Sequence, residues 1–249
     1  LQLFMIRHIG EVVTLINPTS IVGGEATKWT LMNDEQANKK EVAVSIMVSR
    51  MILIYTQLIC FGIVFIYLLL SNIEFPSIII RSVGILYGII FLSICVLGIA
   101  YNPKKSDPTD TVSVKKGWLH RYLFQLQTVI AASLTFFKTH PKAVVWSSLA
   151  GVLHWVVGSL EIYWILHYLG FPCSVPQALF MDLGVVFFKT AGASIPGQVG
   201  IEELGNKVML EMIGIKVTEV WITLSLVRRA RQICWICFGL LGYAFIQPL

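Results

Sequence analysis

The sequence predicts an all-α polytopic membrane protein made of two repeats, each with a Pro/Gly-broken re-entrant helix followed by a long transmembrane helix. Three observations predict it. The 249 residues are 56 % hydrophobic and 13 % charged, and their mean hydropathy of +0.75 lies outside the range of soluble domains. The stretches 42–70, 77–101, 143–169 and 220–246 each reach the roughly 20 mostly apolar residues that a helix needs to cross a bilayer. Two further apolar runs are broken in the same manner, at "NPTSIVGGEATK" (17–28) and "SIPGQVGIEELGNK" (194–207). The whole chain, 1–249, reads as one transmembrane domain.

The elements follow in order. The run 1–16 carries Arg7, His8 and Glu11, and the run 178–195 carries Asp182 and Lys189, so both read as spanning or partly inserted helices. The chain opens on Leu1 with no secretory signal pattern, and helices upstream of the first run are expected to be missing from it. At each break, proline ends a helix and glycine lets the chain turn. Irregular backbone at bilayer depth must face protein or water, so both breaks are expected to line a cavity. The stretches 18–31 and 196–212 are then short helices that start inside the membrane without crossing it, close together, with N-terminal amides suited to an anion.

Loop charge sets the orientation. The connection 102–142 holds seven Lys and Arg residues against Asp107 and Asp110, which places it in the cytoplasm, whereas the turns 71–76 and 170–177 hold none. Within that connection, 118–137 puts Arg121, Gln125, Thr128, Ala132 and Thr135 on one stripe; it lies flat at the interface or spans as a further helix, and the first form is favoured. The net charge of +5 is thus a topology signal, and no nucleic-acid motif accompanies it.

Sliding the sequence by 178 positions superimposes Pro18 on Pro196, Glu25 on Glu203 and Arg50 on Arg228. Three chemically unusual residues at one offset point to an internal duplication, with repeat 1 about 11–70 and repeat 2 about 189–246. A charge at the bilayer centre costs at least ~2.5 kcal/mol unless paired or hydrated, so charged residues within the spans are the candidate substrate-binding set. Arg50, Arg228, Arg229 and Arg231 form the cationic set and Glu25, Glu161, Asp182, Glu202 and Glu203 the acidic set, and of these Glu25, Arg50, Glu161, Glu203, Arg228 and Arg231 are the residues singled out for substrate binding. Arg228 and Arg231 share a helix face at i, i+3, and an arginine fork suits a pair of phosphate oxygens; the alternative is that these groups pair with one another to hold the bundle. Arg50 and Arg228 are expected to converge on the cavity, and Arg228→Leu to remove activity while sparing the fold. Arg229 either snorkels to the cytoplasmic surface or meets the ligand. Lys28 and Lys207 read as interfacial anchors or local ion-pair partners, and His154 as a packed, hydrogen-bonded histidine.

Other chemistry finds little support. Cys60, Cys95, Cys234 and Cys237 lie in apolar spans and Cys173 in a loop, so no disulfide is expected. The CxxC at 234–237 lacks further ligands at metal-site spacing and reads as helix packing, so neither a metal nor a cofactor is expected. Glu202 and Glu203 form a carboxylate pair, but no HExxH, Walker A, GxSxG or DxD pattern accompanies them, and an enzyme is not expected.

"LINPTSIVGGEATKWTLMNDEQANKKEVAVSIMVSRM" resembles the first signature of the lysylphosphatidylglycerol synthase transmembrane (flippase-like) family. "SIPGQVGIEELGNKVMLEMIGI", followed by "LSLVRRARQICWICFGLLGY", is similar to the second. The resemblance implies a multi-pass inner-membrane protein that moves a phosphate-bearing lipid, an aminoacylated or polyprenyl lipid among the candidates. Its implied partners are membrane lipids with an anionic headgroup, with a homo-oligomer or a larger membrane complex as further options. The alternative function is an accessory or structural subunit of such a complex.

Overall fold

The computed structural model describes residues 2–16, 21–31, 39–71, 75, 77–100, 135–192 and 195–246, and the regular structure among them is helical. The expected break at Pro18, most of the connection 102–142 and most of the turn 71–76 lie outside these residues. The helices are α1 (Gln2–Ile16), α2 (Ile21–Leu31), α3 (Lys39–Leu70), α4 (Ser77–Ala100), α5 (Pro141–Tyr168), α6 (Val175–Ala191), α7 (Ile201–Met212) and α8 (Thr218–Ile246). A short 3-10 turn, Pro196–Gln198, precedes α7. α4 belongs to a compact unit of its own, Ile73–Pro141, and the remaining helices form the other unit.

The four long spans read from hydropathy correspond to α3, α4, α5 and α8. Val44–Leu70 and Pro141–Tyr168 are both long and apolar enough to cross a bilayer. α8 has the length, 29 residues or about 44 Å, but carries Arg228, Arg229 and Arg231 near its middle. By contrast α2, with 11 residues, and α7, with 12, reach only about 17–18 Å against a hydrocarbon core of about 30 Å. Neither can cross alone.

α6 is the central helix of its unit. Ala178 to Val185 are buried in every direction, the mark of a helix enclosed by protein. On one side Phe180 and Phe187 stack on and against Phe61 of α3, with ring centroids 5.3 and 4.9 Å apart. On another side glycines let α7 approach: Met209 fills the space beside Gly184, Phe188 packs on Gly205, and Ile201 covers Gly192. Without a hydrophobic force between helices in lipid, such close packing is what holds the hairpin.

The α1–α2 hairpin closes by the same device, since Thr14 lies against Gly24 and the stem of Lys28 across Gly10. α1 then packs on α8, where Val12 covers Gly239 and the His8 ring stacks on Trp235 at 4.9 Å. α8 presents one buried stripe, Val220, Leu224, Ser225, Arg228 and Gln232, whose spacing of about four residues keeps it on a single face. That stripe puts two polar residues and an arginine in the interior.

Candidate functional site

The site begins with the chain break before α7. Pro196 opens the 3-10 turn, and Gly197 (φ +62°) and Gly200 (φ +85°) adopt left-handed backbone that favours glycine. Gln198 also has a positive φ, and its side-chain amide donates to the Lys189 carbonyl at 3.2 Å, tying the turn to the end of α6. At the start of α7 the Gly200 N–H donates to Glu203 Oε2 at 2.7 Å, so the third residue of the helix satisfies one of its orphan amides.

Arg229 of α8 pins this turn. Its Nη1 donates to the Gly197 carbonyl at 2.7 Å and its Nη2 to the Gln198 carbonyl at 3.1 Å, while Nε reaches Glu203 Oε1 at 2.9 Å. The guanidinium fork therefore points inward at the break, so of the two readings of Arg229, snorkelling to the surface or meeting the ligand, the first does not hold. Burial works against the charge of Glu203, but hydrogen bonds from Arg229 and from the backbone N–H groups outweigh it and hold the carboxyl below its ordinary value of 4.5. A lowered carboxyl stabilises the fold above its unfolded pKa and loses that contribution as pH falls through the folded one. Glu203→Gln should therefore lower the melting temperature between pH 6 and 8, with the difference shrinking below the ordinary carboxyl value of 4.5. Thermal melts in detergent across that range check it.

Behind the turn lies a charge cluster in the protein interior. Arg228 is 6 % exposed; its Nη2 donates to Asp182 Oδ1 of α6 at 2.8 Å. Its Nε stands 3.5 Å from Glu202 Oε1, close enough for an ion pair but not aligned as a hydrogen bond. Glu202, 2 % exposed, receives Gln232 Nε2 at 2.8 Å on its other oxygen, with Lys189 Nζ at 3.4 Å from the same atom. One turn along α7, Asn206 Nδ2 donates to Ser225 Oγ at 3.0 Å.

Three cations and three carboxylates thus meet where α6, α7 and α8 cross: Lys189, Arg228 and Arg229 with Asp182, Glu202 and Glu203. The cluster is formally neutral, as a low-dielectric interior demands. Its hydrogen bonding is incomplete. Among the described residues Arg228 Nε and Nη1, Glu202 Oε1 and Asn206 Oδ1 are buried and make no hydrogen bond. Arg228 Nε and Glu202 Oε1 face each other in the 3.5 Å ion pair, and a buried polar group left unmet costs about 1–3 kcal/mol.

A short break, an acidic helix start and an arginine-bearing final helix occur in one order along the chain, and the family description "Lysylphosphatidylglycerol synthase TM region" matches residues 1–240. The chain belongs to that family. No curated protein and no solved structure matches it. Membership in the lysylphosphatidylglycerol synthase transmembrane family places the chain in the membrane and ties it to lipid-related function.

Of the six residues singled out from the sequence, this family member brings Arg228 and Glu203 into the cluster, Glu203 through Arg229 and not through Arg228. Arg231 and Glu161 pair with each other, Nε to Oε1 at 2.6 Å, beside it. Arg50 is half-buried on α3, and the ion pairs around Arg228 are made without it. Glu25 lies on α2, its side chain outside the described residues. His154 is exposed on α5, its ring edge-on to Trp155. Asp182 and Glu202 belong to the wider acidic set read from the sequence but not to those six, and Lys189 and Gln232 to neither. A signal existed: Asp182 and Lys189 are seven residues apart in an apolar run, hence on one helix face, and buried charge in a membrane helix needs a partner.

Proposed function

We propose that the protein moves, or helps to move, a phosphate-bearing lipid headgroup across the membrane, with Arg228 as the cation that receives the phosphate. The observation that carries this reading is the buried guanidinium of Arg228, whose Nη1 makes no hydrogen bond among the described residues. An anionic headgroup at bilayer depth must be neutralised, and a guanidinium N–H supplies both the charge and a hydrogen bond to a phosphate oxygen. Glu202 Oε1 beside it accepts a donor from the same headgroup.

The duplication supports a transporter architecture, in which substrate sits at the interface of two repeats with broken helices. Shifting by 178 positions carries α2, 21–31, onto 199–209 and α3, 39–70, onto 217–248, close to the bounds of α7 and α8. The packing repeats as well, since α1 pairs with α2 and α8 while α6 pairs with α7 and α3. The chemistry repeats only in part: Glu25 and Arg50 stand at the positions of Glu203 and Arg228, but Phe4 stands at that of Asp182, Gly24 at that of Glu202 and Met51 at that of Arg229.

In this reading the protein is a multi-pass protein of the inner membrane with 102–142 in the cytoplasm, and it is not an enzyme. Glu202 and Glu203 are each engaged by cations, so neither stands ready as a general acid or base. An accessory subunit of a larger complex is the second reading, favoured by the formal neutrality of the cluster. Reconstitution separates the two. Vesicles holding the purified protein should exchange a short-chain fluorescent phosphatidylglycerol between leaflets, followed by albumin back-extraction, about tenfold faster than protein-free vesicles. No acceleration with phosphatidylglycerol, its aminoacyl ester or a polyprenyl phosphate would leave the accessory reading.

A further inference from the structure

We infer that α5 is the lateral gate through which a headgroup reaches Arg228 from the lipid, and that the Glu161–Arg231 ion pair is its latch. The inference rests on the reading of Arg228 as the headgroup site. Gly158 of α5 lies directly over the Asp182 carboxylate, where a Cβ would stand 3.5 Å from Oδ2. That carboxylate is the partner of Arg228. One turn further on, Glu161 of α5 meets Arg231 of α8, which is itself one turn beyond Arg228. The two rungs are stacked: the lower covers the buried pair, and the upper ties the covering helix to the helix that carries the arginine.

The attachment of α5 elsewhere is slight, with two buried apolar side chains and a few polar contacts. Its buried residues are Gly151, Ser159, Ile162 and Leu166. Against α3 it offers the Ser148 hydroxyl to Tyr55, the Trp155 N–H to Thr56 Oγ1 at 3.3 Å, and Gly151 beneath Thr56. The contrast is the α3–α6 contact, where Phe61 and Phe65 interlock with Phe180 and Phe187. Apolar side chains gain nothing by leaving lipid for protein, so helices in a bilayer are held by close packing and polar contacts. Among the described residues those contacts of α5 are few, and its ion pair is the one between Glu161 and Arg231. Its side chains are 22 % and 45 % exposed, so the pair opens at far lower cost than the buried Arg228–Asp182 pair. Opening uncovers Asp182 and Arg228 and frees Arg231 to meet the phosphate on its way in.

A covalent latch tests this. In a background with the native cysteines replaced, Glu161→Cys with Arg231→Cys is crosslinked by oxidation or by a short bis-methanethiosulfonate. It is then assayed for exchange of the fluorescent phosphatidylglycerol by albumin back-extraction. The crosslinked protein should lose exchange by about tenfold or more and regain it on reduction. Exchange unchanged by the crosslink overturns the gate, and so does a pair that neither reagent joins, since the helices are then not adjacent. Glu161→Gln keeps the side chain's size and breaks the latch, so exchange should rise; a comparable loss in a folded Glu161→Gln protein would make Glu161 a headgroup contact and overturn its role as a latch. Loss of exchange in Arg228→Lys belongs to the site, because reduction cannot restore it. An intact rate in Arg228→Lys together with a dead crosslinked form would remove the site reading and leave α5 as a moving helix.

Discussion

Arg228→Leu should abolish headgroup movement and lower the stability of the folded protein by about 3–5 kcal/mol. The fold is not spared, contrary to what the sequence suggests, because the side chain is buried between Asp182 at 2.8 Å and Glu202 at 3.5 Å. Removing the cation leaves carboxylates in the interior without their charge partner. The two effects separate in a double variant, Asp182→Asn with Arg228→Gln. Replacing both members of the pair by neutral groups should recover much of the stability, since Glu202 keeps Lys189 and Gln232, while movement stays lost. Thermal melts and exchange rates per folded molecule measure both. Retained movement in the folded double variant would take the headgroup away from Arg228.

Arg229→Leu should loosen the chain break before α7 and cost about 3 kcal/mol, or roughly 6–12 °C in melting temperature for a chain of this size. The substitution frees two carbonyls, Gly197 and Gln198, and the Glu203 carboxylate at once. Arg229→Lys keeps the charge beside Glu203 but cannot reach two carbonyls with a planar fork, so it should recover only part of the loss. A cysteine at Val199, the exposed tip of the turn, should label faster in Arg229→Leu than in the parent. An unchanged melt and unchanged labelling would mean that Pro196, Gly197 and Gly200 hold the turn without Arg229.

Much of the fold was legible. Hydropathy located α3, α4, α5 and α8 within a few residues, because a stretch of that length and composition has few alternatives to a helix. Proline and glycine located the break at 196–200, since both act through the local backbone. The site was legible as an inventory, because a charge in an apolar run is costly wherever its helix ends up. It was not legible as a set of pairs. Glu203 and Glu202 are neighbours in the chain, yet the first engages Arg229 and the second Arg228. Successive residues point about 100° apart around a helix, so partner choice follows from how α7 is rotated against α8. Asp182 meets Arg228 across 46 residues of chain, and Glu161 meets Arg231 across 70.

By itself the sequence determined the membrane class, the places of the long helices, the break at 196–200 and which charges had to find partners, all consequences of local composition. Only the tertiary structure decided that Arg229 pins the break, that Asp182 and Glu202 flank Arg228, and that Arg228 Nη1 makes no hydrogen bond among the described residues. Pairing depends on the rotation and crossing of helices, which are set by packing between segments far apart in the chain.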